Sequence, residues 1–296
     1  MGIKSLLLIP KLKIHNANAM SSTCTVGFPA MTAWLGAVHA LERKVRTGGF
    51  PDARFSKTGV CCHACDMQLY KGPHDYRYSI IGTANPLKRK GKDFERPPFI
   101  EEARCHLLVS LVIDVEGFPR EEEERFVELV ASSLHRMKVA GGDIETFSLP
   151  KAEFIDTEEE KSARKILRKL MPGYAIVERR ELLKTSESGK DALDSLLDIL
   201  AVHYIAGEAS EEDVHWEPRK KQPGWLVPLA VGFKDISGAV QAKHQRSPGY
   251  EHHFVEPLIT LGEFKMPYHF RSLDEVMWEY CPDLECGLYI CRNPGV

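Results

Sequence analysis

Phe28, Met31, Trp34, Leu35, Val38, Leu41 and Val45 fall at helical spacing in one uninterrupted stretch, and this apolar stripe constrains the fold more than any other feature of the chain. Pro29 suits the first turn and Gly48-Gly49 stops the pattern, so the spacing predicts an amphipathic helix. A helix with one apolar face has to bury it against another layer. The residues before it read as such a layer: 3–14 begin as a buried strand, with the apolar run Leu6 to Ile9, and 10–14 alternate apolar and basic as a half-exposed one does. Pro10 inside that run predicts an edge position or a bulge, and the polar residues 15–25 predict a loop.

Beyond the helix, residues 57–70 predict a strand, followed by a turn at Gly72-Pro73 and an extended piece at 76–81. Residues 85–98 are rich in Lys, Arg, Gly and Pro and read as a projecting loop or hairpin. Residues 104–115 predict an apolar strand. The acids at 121–124 then open a second helix, with Phe126, Leu129, Val130, Leu134 and Met137 on one face and Gly141-Gly142 at its end. Residues 143–149 supply a further strand. The order strand, helix, strand, strand, helix, strand over residues 1–150 predicts an α+β fold with a ferredoxin-like palm and a basic insertion near 85–100. RNA-recognition domains share this topology with many unrelated proteins, so the fold alone does not fix a function. Residues 151–296 read as a second region of mixed helix and strand: helices at 158–171 and 191–204, strands at 174–177, 225–231 and 254–261, and a short capped helix at 272–280.

At 296 residues, 43% of them hydrophobic, the chain can bury a sizeable core. Its longest apolar runs fall far short of the ~20 residues that span a bilayer, and its start does not read as a secretory signal. A cytoplasmic location is expected, where the eight cysteines stay reduced. The net charge of -3 does not suggest a nucleic-acid binder, yet the charges are segregated. Lys4, Lys11, Lys13, Arg43, Lys44 and Arg46 face a single acid, Glu42, in residues 1–47, while acids gather at 121–124, 158–160 and 208–213.

Four constellations bear on chemistry. Cys61-Cys62-His63-Ala64-Cys65 offers soft ligands, but residues two apart on a strand lie roughly 6.5–7 Å apart, too far for tetrahedral zinc, so thiols packed in a sheet are expected and no metal or cofactor. The motifs of serine hydrolases, phosphate loops and dinucleotide binders are absent, although a metal-independent ribonuclease needs only a histidine base and a cation, and twelve histidines are present. Lys161, Arg164, Lys165, Arg168 and Lys169 align on one helical face, and Lys88-Arg89-Lys90 concentrates charge in the insertion. Both suit a phosphate backbone, as they suit a solvated surface. Asn16, Asn18, Ser21 and Ser22 offer amides and hydroxyls that can bond splayed bases, or simply close local turns.

Residues 7–22 (LLIPKLKIHNANAMSS) and 27–44 (GFPAMTAWLGAVHALERK) closely resemble the Csy-two subunit family of type I-F CRISPR surveillance complexes. So do 85–91 (NPLKRKG), 102–111 (EARCHLLVSL), 140–142 (AGG), 170–177 (LMPGYAIV), 224–228 (GWLVP) and the segment from Phe254 to Glu263, in the family's order. That resemblance implies a RAMP protein of the Cas-five type, with a ferredoxin-like palm and an inserted thumb, that grips the 5′ handle of a guide RNA without cutting it. It implies as partners the guide RNA, the large Csy-one subunit and the Csy-three-type backbone subunit, with target double-stranded DNA engaged only indirectly through guide pairing and no membrane. The residues it points to as RNA contacts are Asn16, Asn18, Ser21, Ser22, His39, Arg43, Arg104 and His106, with Lys88, Arg89 and Lys90 in the thumb; Lys165 and Arg168 join them on the charge argument above.

Overall fold

The computed structural model describes residues 3–81, 87–96, 102–156, 160–184, 191–207, 216–245, 247 and 249–295. The N-terminal apolar run lies in β1 (Ile3–Asn18), followed by a short hairpin of β2 (Met20–Ser22) and β3 (Thr25–Val26), then helix α1 (Met31–Thr47) and the long β4 (Arg54–Met67). β5 (Leu69–Tyr70) pairs with β6 (Ser79–Ile80), and β7 (Lys88–Lys90) with β8 (Asp93–Glu95). Next come β9 (Arg104–Glu116), α2 (Glu123–Leu134), β10 (Lys138–Val139), β11 (Gly142–Thr146), β12 (Lys151–Asp156) and α3 (Glu160–Lys169). The rest supplies β13 (Tyr174–Glu178), α4 (Glu181–Lys184), α5 (Ala192–Leu200), β14 (Val202–Ala206), β15 (Trp216–Lys220), β16 (Leu226–Asp235), β17 (Val255–Lys265), β18 (Met277–Tyr280) and β19 (Leu288–Arg292). Sequence expectations at 85–86, 97–98, 158–159 and 208–213 fall outside the described residues.

Eleven strands join in one antiparallel sheet, ordered β10-β11-β1-β9-β4-β13-β17-β16-β19-β18, with β12 beside the N-terminal half of β1. β4 pairs with both β13 and β18, so β4, β13, β17, β16, β19 and β18 close a ring of pairings. The molecule is thus mixed α/β and strand-rich. Leu7 and Ile9 point into a core shared with Trp34 and Leu41 of α1 and Phe126 and Val130 of α2. Leu6 and Leu8 point the other way, into a second core with Ile166 and Leu167 of α3. Burial on both faces is why Leu6 to Ile9 read as an unbroken apolar run.

Two bulges then re-aim β1. Ile9 pairs with Leu111 and Leu12 with Val109, so β1 spends one extra residue there; Ile14 opposite Leu107 and Ala17 opposite Cys105 mark a second. Each extra residue shifts the alternation by one, and Ile9, Leu12, Ile14 and Ala17 all reach the same core. Lys11 and Asn16 take left-handed backbone at φ 54° and 59°. The N–H that each bulge removes from the ladder finds a side chain on β9: Lys11 donates to Ser110 Oγ at 3.0 Å, and Asn16 to His106 Nδ1 at 3.1 Å. Pro10 therefore marks a bulge, and the edge alternative does not hold, because β1 is paired on both sides.

Other expectations need correction. The polar stretch 15–25 is the end of β1 and the β2–β3 hairpin. α2 stops at Leu134, ahead of the glycines, and β10 intervenes. The helix expected over 191–204 ends at Leu200, where Ala201 turns extended at ψ 143° and the β-favouring Val202, Tyr204 and Ile205 form β14. The capped helix expected at 272–280 is one 3-10 turn, Asp274–Val276, that runs directly into β18. Strand pairing of Met277 with Gly59 and Trp278 with Thr58 overrides the local helix signal. β12, β15 and β19 carry no clear strand signal in the sequence. No helix among the described residues is long and apolar enough to cross a membrane.

Candidate RNA interface

The second β1 bulge opens onto a groove of about 900 Å³. Its floor is the exposed side of α1, where Ala33, Gly36, Ala37 and Ala40 leave room for a ligand. Asn18, Met20 and Ser21 form one wall. Arg104 and Glu102, with Lys138, Ala140 and Gly141 from the β10–β11 connection, form the other.

Main-chain bonds fix these walls to one another: Asn18 N–H donates to Ala140 O at 2.8 Å, and Ala19 N–H to Ala103 O at 2.9 Å. Behind them His15 and His106 stack with ring centroids 4.4 Å apart. Asn16 N–H donates to His106 Nδ1, and the Gln68 side-chain amide lies 3.0 Å from Nε2. Through the Nδ1 bond His106 braces the bulge. Arg104 donates through Nη1 to Asn16 O at 3.5 Å and pairs through Nη2 with Glu102, while its Nε is buried with no hydrogen-bond partner among the described residues.

The rim is a set of exchangeable ion pairs. Lys138 on the rim meets Asp143 at 2.7 Å, and outside the lining Lys13 of β1 meets Glu145 of β11 at 2.8 Å; each lysine holds its carboxylate below the usual range. Such exposed pairs hold weakly in water, so an arriving phosphate can replace the carboxylate. What the groove offers is paired cations at its rim, polar side chains on its wall and a floor of small residues.

Of the residues singled out from sequence, Asn16, Asn18, Ser21 and Arg104 come together here. Asn18 and Ser21 line the groove, and Asn16 holds Arg104. Asn18 also closes a local turn, its Oδ1 accepting from Met20 N–H at 3.0 Å. Ser22 turns away, its Oγ 2.6 Å from Thr25 Oγ1 in the β2–β3 hairpin. His39 and Arg43 are exposed on α1 but do not line the groove. Lys88, Arg89 and Lys90 form β7, where Lys90 pairs with Glu95 at 3.1 Å, and Lys165 and Arg168 lie on α3 across the sheet. Gln68 and Lys138 escape sequence reading, although Lys138 stands just before the block at 140–142.

A serine–histidine pair does occur, His63 Nε2 lying 2.7 Å from Ser110 Oγ. Its surroundings make it structural. His63 Nδ1 faces the Pro172 carbonyl, which can only accept, so Nε2 accepts the Ser110 proton while Ser110 Oγ accepts Lys11 N–H. Ser110 is 1% exposed and out of reach of a substrate. Burial lowers the His63 pKa, so the fold favours the neutral ring. The unfolded chain takes up a proton near pH 6.5 and the folded one only at lower pH, so stability from this group is full above about pH 6.5 and is lost as pH falls from there through the lower folded pKa. Thermal melting from pH 7.5 to 5.5 should show a decline that is shallower in His63→Gln, although that variant melts lower at pH 7.5; parallel curves would mean that His63 does not titrate in this window.

In the cysteine run, Cys61 and Cys62 point into opposite cores and burial pushes both thiols up to about 12. No group of three metal-ligating side chains forms among the described residues.

The chain matches the family model described as CRISPR-associated protein (Cas_Csy2) over residues 7–291. It is 35% identical to the CRISPR-associated protein Csy2 of Pseudomonas aeruginosa (strain UCBPP-PA14), in an alignment of 325 residues that covers 98% of this chain and 96% of that relative.

Proposed function

This chain belongs to the Csy2 family of CRISPR-associated proteins of the type I-F system, and on that basis we propose that it is the non-catalytic subunit that grips the 5′ handle of the guide RNA. The observation that carries the reading is the groove at the β1 bulge, where Arg104, Lys138, Asn18 and Ser21 converge over a floor of small residues. Phosphates fit the cationic rim, and unstacked bases can reach the amide and hydroxyl groups of the wall. The large Csy-one subunit and the Csy-three-type backbone subunit complete the assembly, and target DNA is met through the guide.

The order β11-β1-β9-β4, with α1 and α2 on one face, supports a ferredoxin-like palm over residues 1–150. In this reading the insertion near 85–100 is the thumb, and residues 151–296 pack on the palm as a second region. Reversing charge at Lys88, Arg89 and Lys90 together should weaken guide binding and flatten its salt dependence by about 0.7 in log–log slope for each phosphate that is no longer neutralised. An unchanged slope would remove the thumb from the RNA path.

Co-purification of this chain with the large subunit and labelled guide RNA tests the proposal. Recovery of intact RNA should depend on the 5′ handle. Recovery that ignores the handle contradicts it, and cleavage of guide precursor by the isolated chain, abolished by one histidine substitution, would establish a ribonuclease instead.

A further inference from the structure

We propose that the exposed side of α3, together with the turn Pro267–His269, is a second nucleic-acid site, one that takes a single-stranded phosphodiester chain. Lys161, Arg164, Lys165, Arg168 and Lys169 lie on α3 away from Ile166 and Leu167, which anchor the helix in the core. Glu160 compensates Arg164 at 2.7 Å and Glu153 compensates Lys169. Lys161, Lys165 and Arg168 have no acidic partner among the described residues, which leaves a surplus of positive charge along the helix.

Charge alone would suit any polyanion, but the neighbouring turn narrows the choice. Arg164 and Arg168, one helical turn apart, line a cleft of about 210 Å³ with Tyr268 and Phe270 opposite. Tyr268 is 59% exposed, and its ring lies against His269 with centroids 4.0 Å apart, which holds an aromatic face beside the two guanidinium groups. Guanidinium groups for phosphates next to an aromatic platform is the pairing that binds single strands. A duplex keeps its base faces stacked inside and would leave Tyr268 unused. An acidic peptide would satisfy the arginines and also leave the ring idle.

The site is separate from the groove. α3 packs on Leu6 and Leu8, whereas α1, the groove's floor, packs on Leu7 and Ile9, so the sheet lies between them. The proposal rests on the chain being a nucleic-acid-binding subunit but not on the groove holding the handle. A strand bound at α3 is a different segment of guide RNA or a strand displaced from target DNA, which share this chemistry.

The test uses the complex assembled on its guide, so that the groove is already filled. Fluorescein-labelled oligo(U) and oligo(dT) serve as single-strand probes, with an oligonucleotide duplex and polyglutamate as comparisons. Arg164→Gln with Arg168→Gln should weaken probe binding at least tenfold and reduce the salt slope by about 1.4, at ~0.7 per phosphate. Tyr268→Ala should weaken it by roughly 5- to 100-fold and Tyr268→Phe should retain it. Binding of oligo(U) alone assigns the site to guide RNA, and binding of both probes admits displaced DNA; either supports the site. Unchanged affinity and slope in the double variant, preferential binding of the duplex, or equal displacement by polyglutamate would overturn it. Handle-dependent recovery of the guide should be the same in all these variants, so its loss or absence reports on the groove and not on α3.

Discussion

Arg104→Ala is expected to weaken binding of the guide's 5′ handle by roughly 10- to 150-fold, the loss of a hydrogen bond to a charged group worth about 1.5–3 kcal/mol. Arg104 stands at the first position of β9, where Asn16 O and Glu102 orient its guanidinium along the groove wall. Exchange of Glu102 for a phosphate costs one ion pair and gains another, in a geometry that a planar fork suits better than a point charge. Arg104→Lys should therefore fall between wild type and Arg104→Ala. The fold should survive, because the strand's own bonds, such as Gln68 N–H to Arg104 O at 2.9 Å, involve main chain. Titration of a labelled handle oligonucleotide at several salt concentrations checks the role: a true phosphate contact lowers the slope by about 0.7, and a purely structural residue leaves it unchanged.

Trp278→Ala should cost about 3–5 kcal/mol of folding stability, the upper range for large-to-small changes in a core. The indole is 0% exposed, and its Nε1–H donates to Ile176 O at 2.8 Å. It sits on β18, which closes the ring of pairings by bridging β4 and β19, so a cavity here loosens both pairings together. Trp278→Phe keeps much of the volume, gives up the hydrogen bond and should lose less. Urea denaturation followed by circular dichroism measures the difference, and an unchanged midpoint in Trp278→Ala would show that the ring does not depend on this side chain.

How far the sequence carries these conclusions differs from element to element. α1 is legible because its stripe, opening proline and closing glycines all agree. The apolar part of β1 is legible as well, but the use of its bulges is not, since a change of parity has meaning only against the partner strand. The β18 region misleads for a physical reason. Glu275 Oε1 accepts from Arg271 N–H at 2.7 Å and Ser272 N–H at 2.8 Å, so the helix-start signals are satisfied, yet the turn is too short to compete with strand pairing.

The groove is half legible. Asn16, Asn18 and Ser21 lie within a few residues of one another and stand out as a polar cluster after an apolar strand, and Arg104 comes with a matching family block. Lys138 reaches the groove from β10, and Gln68, just after β4, reaches Asn16 and His106 behind it; only the pairing of β9 with β1 and β4, and of β11 with β1 and β10, brings them there. Overall charge is a poor guide: at -3, the chain still carries clusters of lysine and arginine on β7 and α3.

The most direct test of the handle-gripping account is a photocrosslinking measurement on the assembled complex, with 4-thiouridine placed only in the 5′ handle and the adducts located by mass spectrometry. The account predicts crosslinks within residues 15–22, 102–106 and 138–142. Crosslinks confined to α3 or to the β7–β8 hairpin, with none at the groove, would contradict it.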